Sequence, residues 1–201
     1  MAASYFILAG LWLVYFVLHS LLASPGVKQR GRSWVGESYR YYRLGYNILA
    51  VATIIPVLVY NAVISTEPLI GDIRVRDILQ LFGLVLASYG VIVIRLSFKQ
   101  FSKREFLGIS PEAADQIQPL RTDGVLRYVR HPLYAGTILI ALGLWCFSST
   151  LANLVTASAW IMYILIGIKL EEKKLLKLYG AEYQTYREQV PMLVPKLRSH
   201  R

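Results

Sequence analysis

Cysteine is nearly absent from this chain. Cys146 stands alone, which excludes an intramolecular disulfide and a cysteine-based metal cluster, and no metal site is expected. Charge is also scarce: Asp, Glu, Lys and Arg make up 17% of 201 residues, against about 25% in an average soluble domain. There is no glycine-rich nucleotide loop of the soluble type, no internal repeat and no low-complexity segment. No charged n-region precedes the first apolar run and no convincing small-residue cleavage site follows it. That run is therefore expected to stay as a membrane span and not to be removed as a signal peptide.

What the chain has instead is apolar sequence, 55% of it, gathered into blocks. The runs Ser4 to Leu22, Leu44 to Ile64 and Ile78 to Phe98 are each near the roughly 17–25 residues that a helix needs to cross hydrocarbon. Leu133 to Ser148 and Leu151 to Ile168 follow, the first of them short at 16 residues. These blocks predict an all-α integral membrane protein with about five transmembrane helices and a cytoplasmic C-terminal helical extension. They form one membrane domain over residues 1–201. Within it, 1–98 is a three-helix scaffold, 99–132 a cytoplasmic connection, and 133–201 a helical hairpin plus tail that forms a site.

The net charge of +10 invites a nucleic-acid reading, but its distribution excludes one. Segments 23–43, 99–132 and 169–201 together hold nineteen basic residues, whereas 65–77 and 149–150 hold two, Arg74 and Arg76. Arg95 lies near the end of the third run. Basic residues stay on the cytoplasmic side of membranes. The amino terminus is therefore expected outside and the carboxyl terminus inside a multi-pass cell membrane, with a bacterial inner membrane as the expected setting.

Two polar clusters break the apolar pattern. The first runs Arg127-Tyr128-Val129-Arg130-His131-Pro132-Leu133-Tyr134-Ala135-Gly136. Pro132 suits the first turn of a helix, since its missing N–H would be unpaired there in any case. Arg130 and His131 then stand at the positive end of a helix dipole, where a carboxylate can bind. The second cluster follows the last apolar run. Glu171-Glu172 lie on its continuation to Tyr179, Gly180 terminates that helix, and a short helix from Ala181 to Gln189 carries Tyr183, Tyr186 and Arg187 on one face. A cationic and an acidic-aromatic cluster thus bracket one apolar hairpin, which suits a zwitterionic small molecule. Taken singly, either cluster also reads as an interfacial anchor. On the third run Gly83, Ala87 and Gly90 permit close helix approach. The Lys99 to Arg130 connection contains Pro111, Pro119 and Asp123-Gly124, with Phe98, Phe101, Phe106 and Leu107 expected to keep its first half near the membrane.

Gly124-Val125-Leu126-Arg127-Tyr128-Val129-Arg130-His131-Pro132-Leu133-Tyr134-Ala135-Gly136 resembles the G-x-x-R-x-x-R-H-P-x-Y-x-G hallmark of the isoprenylcysteine carboxyl methyltransferase superfamily, which includes phospholipid methyltransferases. Glu171-Glu172, Tyr179-Gly180, Tyr183, Tyr186 and Val190-Pro191 resemble its second hallmark. His19-Ser20-Leu21-Leu22-Ala23-Ser24-Pro25, Phe106-Leu107-Gly108 and Val190 to Pro195 look like the bacterial methanethiol S-methyltransferase branch. His19 itself reads as an interfacial or packing histidine.

The resemblance implies S-adenosylmethionine as methyl donor, with S-adenosylhomocysteine as product. It implies a donor site drawn from Arg127, Arg130, His131, Pro132, Tyr134, Gly136, Glu171, Glu172, Tyr183, Tyr186 and Arg187, with Arg130, His131 and Glu172 as the catalytic residues. Arg130 and His131 suit the donor's carboxylate, and Glu171 or Glu172 its ammonium or ribose hydroxyls. Tyr134, Tyr183 and Tyr186 suit the adenine or sulfonium, since aromatic faces attract cations. Gln189 departs from the basic residue that prenylcysteine enzymes usually carry before Val-Pro. That departure favours a small thiol or another lipophilic acceptor, of the methanethiol type, over carboxyl methylation of prenylcysteine. The expected partners are that acceptor and the lipid bilayer, with no nucleic acid. The competing readings are a membrane reductase of the sterol-reductase type and a non-catalytic membrane scaffold with a vestigial cofactor site.

Overall fold

In the computed structural model the described residues are 2–35, 39, 41–64, 67–100 and 119–196. The expectations for Phe101, Phe106, Leu107, Gly108 and Pro111, and the charge of Arg40, fall outside them. Among the described residues the elements are helices: α1 (Ala2–Ala23), α2 (Pro25–Val35), α3 (Tyr42–Ile64), α4 (Ile73–Ser97), α5 (Pro132–Phe147), α6 (Leu151–Tyr179) and α7 (Ala181–Gln189), with short 3-10 turns at Phe98–Gln100 and Gly124–Arg127. Four of them, α1, α3, α4 and α6, are long and apolar enough to cross a membrane, and α5 is a shorter apolar helix of 16 residues. The chain is an all-helical, multi-pass membrane protein, with four helices of full spanning length where the sequence reading expected about five.

Two boundaries differ from those read in the sequence. The third span starts five residues early, at Ile73, because the Asp72 side chain accepts from the backbone N–H groups of Arg74 and Val75. A capping carboxylate satisfies donors that a helix start otherwise leaves open, so the charged first turn joins the apolar run. The second difference is α2, which reads as a connection because it contains Pro25, Gly26 and Gly31. Ser24 explains it: its hydroxyl oxygen accepts from Val27 N at 3.4 Å, capping a helix whose proline sits at the tolerated first position.

The described residues divide into two compact units. The first contains α1, α2, α3 and the start of α6. Leu8 and Trp12 of α1 and Ala152 of α6 are fully buried there. Polar atoms in hydrocarbon must find partners within the protein, and here they form one chain of hydrogen bonds. Trp12 Nε1 donates to Thr156 Oγ1 at 2.9 Å, Thr156 Oγ1 to Asn61 Oδ1 at 2.8 Å, Asn61 Nδ2 to Asn153 Oδ1 at 2.8 Å, and Asn153 Nδ2 to the Ser148 carbonyl at 2.8 Å.

The second unit contains α4, α5, the rest of α6, and α7. Its organising contact is glycine on glycine. A Cβ built on Gly83 would lie 2.5 Å from the Gly143 carbonyl oxygen, and one on Gly90 would lie 2.6 Å from that of Gly136. The reciprocal distances are 2.6 Å for Gly143 and 2.7 Å for Gly136. Residue numbers rise along α4 as they fall along α5, so the helices are antiparallel and meet at glycines two turns apart. Small residues of this kind let backbones touch where no hydrophobic driving force separates helix from lipid.

Candidate donor site

The second unit gathers the two sequence clusters at the end of α6. Glu172 lies in the charged C-terminal part of that helix, is buried, and is the hub. Its Oε1 accepts from Arg130 Nε at 3.0 Å and Arg130 Nη2 at 2.6 Å, and lies 3.3 Å from His131 Nε2. Its Oε2 is 3.7 Å from Arg187 Nε on α7. The His131 ring stands between the two carboxylates, with Nδ1 3.9 Å from Glu171 Oε2. A carboxylate with this much cationic company is the arrangement in which a buried charge is tolerated.

Arg130 does more than pair with Glu172. Its Nη1 donates to the Arg187 carbonyl at 2.9 Å and also to the Val190 carbonyl. Its backbone N–H donates to the Pro191 carbonyl at 2.9 Å, and His131 N–H donates to the Met192 carbonyl at 3.1 Å. One guanidinium therefore clamps the tail segment to α6 while the tail's carbonyls close the two backbone donors ahead of α5. Tyr186 Oη adds a bond to the Leu126 carbonyl at 2.7 Å. Gly180 makes the α6–α7 corner with φ at +55°, a conformation in which a side chain is strained.

The expected residues fall into three groups. Arg130, His131, Glu171, Glu172, Tyr183, Tyr186 and Arg187 are brought together, with Tyr134 beside them, its ring 5.8 Å from that of His131. Pro132 is buried at the start of α5, and Gly136 is turned onto Gly90 and Ile94 of α4, where it seats the helix. Arg127 is exposed in the 3-10 turn and forms no ion pair among the described residues. Sequence reasoning missed the backbone carbonyls of Leu126, Arg187, Pro191 and Met192. A carbonyl is common to every residue type, so only the Val-Pro after α7 hinted at a defined tail.

Among the described residues, two buried oxygens in this cluster have no hydrogen-bond partner: Glu171 Oε2, whose nearest cationic neighbour is His131 Nδ1 at 3.9 Å, and Tyr183 Oη. Tyr183 is 1% exposed. Burial, and then the Glu172 charge, push its phenol up to about 12, so it remains a neutral donor. The Arg130 guanidinium beside that phenol acts in the opposite direction and lowers it. Burial, with Tyr183 adding to it, likewise holds Tyr186 at about 12. An unpaired buried hydroxyl or carboxylate oxygen costs about 1–3 kcal/mol or more. These two atoms are a hydrogen-bond donor and an acceptor within the cluster.

The phospholipid methyltransferase family profile matches residues 78–182, which hold most of α4, all of α5 and α6 and both clusters up to Glu182. A methanethiol S-methyltransferase of Pseudomonas deceptionensis is 30% identical over 199 residues, covering 92% of this chain and 70% of its own length. One from Crocosphaera subtropica is 47% identical over 76 residues, 37% of this chain and 29% of that protein. A protein-S-isoprenylcysteine O-methyltransferase of Schizosaccharomyces pombe is 40% identical over 80 residues, 38% of this chain and 33% of that protein. The chain thus spans a third or less of the Crocosphaera and Schizosaccharomyces relatives. No solved structure matches it.

Proposed function

The chain belongs to the phospholipid methyltransferase family, and on that premise we propose that it is a membrane methyltransferase that uses S-adenosylmethionine and methylates a small thiol or lipophilic acceptor. The observation that carries this reading is the buried Arg130–Glu172–His131 cluster, beside which Glu171 Oε2 and Tyr183 Oη have no hydrogen-bond partner among the described residues. Methanethiol-type S-methylation is preferred over prenylcysteine carboxyl methylation, because Gln189 offers no cation to a substrate carboxylate and most of the similar proteins named above act on methanethiol by name. The site belongs on the cytoplasmic side of a five-pass protein, with α5 as the fifth crossing and the amino terminus outside, a reading that the distribution of basic residues supports.

When bound, the donor supplies an electrophilic methyl group on a sulfonium. The residues divide the remaining work. Glu171 and Glu172 offer the negative charge that an ammonium or ribose hydroxyls require. Tyr183 Oη donates a hydrogen bond, and the rings of Tyr134 and Tyr186 present faces to a cation. Arg130 and His131 fix the orientation of Glu172 and leave a positive field for a carboxylate, to which Arg187 adds. Pro132 and Gly136 set α5 in place, and Arg127, exposed in the preceding turn, adds positive charge to that approach. Methyl transfer of this kind gains mainly from positioning and from exclusion of water, so a strong acid or base in the cluster is not required.

Tyr183→Phe tests the readiness of that hydroxyl. S-adenosylhomocysteine affinity is expected to fall about tenfold, the worth of one good hydrogen bond. The melting temperature of the ligand-free protein should hold or rise, since an unsatisfied buried group has gone. Lower melting with unchanged affinity would assign the phenol to packing. For the acceptor, a labelled-methyl assay should mark methanethiol ahead of prenylcysteine and membrane lipid. Label confined to prenylcysteine or to lipid would overturn the thiol preference.

A further inference from the structure

The first unit contains a cavity with a different chemistry. Leu22 at the end of α1, Tyr39 and Tyr41, and Tyr42, Gly45 and Tyr46 at the start of α3 line a space of about 440 Å³, within the range of small-molecule sites. Two of the phenol hydroxyls are already engaged. Tyr42 Oη donates to the Leu22 carbonyl at 2.6 Å, and Tyr46 Oη pairs with His19 Nε2 at 2.6 Å. What these two residues offer an occupant is ring surface. The rim is cationic. Gly31 brings α2 close to this wall, its built Cβ 3.3 Å from the Tyr42 ring, and the Arg32 guanidinium lies 5.9 Å from the Tyr39 ring centroid. Lys28 is one turn before Arg32 on the same helix face. Among the described residues no carboxylate pairs with Lys28, Arg30 or Arg32, and Trp34 is 88% exposed at the end of α2. A basic helix with an exposed tryptophan directly after a membrane span is suited to lie in the headgroup layer.

We propose that this pocket holds an anionic phospholipid, with an acyl chain among the tyrosine rings and its phosphate at Arg32 and Lys28. A soluble anion would be served by the charges and gain nothing from the cavity. A zwitterionic lipid would fill the cavity but bring its own ammonium to a rim that is already cationic. Polybasic segments beside membrane spans favour anionic lipid by roughly fivefold in affinity per Lys or Arg. A phosphatidylglycerol-type lipid carries no amine or thiol to methylate, so its binding is separate from turnover in the donor-site cluster.

The test uses the full chain, stripped of lipid in detergent and titrated with phosphatidylglycerol, phosphatidylcholine or glycerol phosphate. Native mass spectrometry reads the bound lipid and thermal unfolding reads its effect. Phosphatidylglycerol alone should bind one per chain and raise the melting temperature. Gly45→Trp fills the cavity from a position where an added Cβ meets nothing within 4 Å, and should abolish that response. The Lys28→Gln/Arg32→Gln pair should weaken it about thirtyfold. Equal binding of phosphatidylcholine, or an equal response to glycerol phosphate, overturns the proposal. So does a folded Gly45→Trp protein that still binds phosphatidylglycerol. Should Gly45→Trp fail to fold, the charge pair decides alone, and undiminished affinity there refutes the site.

Discussion

Glu172→Ala is expected to remove S-adenosylhomocysteine binding and about 3–5 kcal/mol of stability together. The stability loss follows from what the substitution strands. Arg130 loses both hydrogen bonds to Oε1, at 3.0 and 2.6 Å, with its side chain only 8% exposed. Leaving one partner of a buried pair without the other is among the most damaging single changes, because the remaining charge has neither water nor a counter-ion. The affinity loss needs a separate argument, since a protein with a collapsed site binds nothing. Arg130→Met combined with Glu172→Leu supplies it. With both charges gone the stranded-ion penalty disappears, and the double variant should regain part of the stability, although the Arg187 and Val190 carbonyls still lack their donor. Donor binding should remain absent. Calorimetric titration beside thermal unfolding reads both quantities, and a double variant that recovers affinity along with stability would show that Glu172 only holds the fold.

Gly136→Leu is expected to cost about 3 kcal/mol or more, or to prevent accumulation of folded protein. The first atom of any side chain there would lie 2.7 Å from the Gly90 carbonyl oxygen and 2.7 Å from Ile94 Cγ1. Backbone cannot give way as a flexible side chain can, so overpacking at this point must separate α4 from α5. Because α5 carries Arg130 and His131 at its start, donor affinity should fall as well. Gly167→Ala on α6 is the control. An added Cβ there meets nothing within 4 Å, so this change should be neutral or stabilise slightly through helix propensity. Melting temperatures of the two variants in one detergent check the contrast, and equal melting would remove the glycine contact as the cause.

The parts legible in the sequence were those set by residue type and spacing. α6 running to Tyr179, the corner at Gly180, and α7 from Ala181 to Gln189 came from an apolar run, a glycine and a proline beyond it. Gly83 and Gly90 announced a close helix contact, but not which helix would meet them; Gly143 and Gly136 lie more than forty residues away, and spacing on one helix does not identify its partner. The α2 helix stayed hidden because its Pro and Gly residues count against a helix on propensity, while the Ser24 cap works through local geometry.

The candidate cluster shows the same division. Arg130, His131 and Glu172 were visible as charges out of place beside apolar spans. Arg130 read as a free cation awaiting a carboxylate, whereas its Nε, Nη1 and Nη2 are bonded to Glu172 and to carbonyls of the tail. That engagement depends on where residues 187–192 pass, and their route is set by backbone bonds that carry no sequence signature. Tyr183 was expected for its ring; its unpaired hydroxyl appears only once burial is known.

A cluster built for S-adenosylmethionine is expected to show itself in isothermal titration of the purified full chain with S-adenosylhomocysteine, with NADPH in a parallel cell. Saturable binding of S-adenosylhomocysteine at one site per chain and no heat from NADPH are expected. Binding of NADPH in its place, or of neither compound, would contradict the donor assignment.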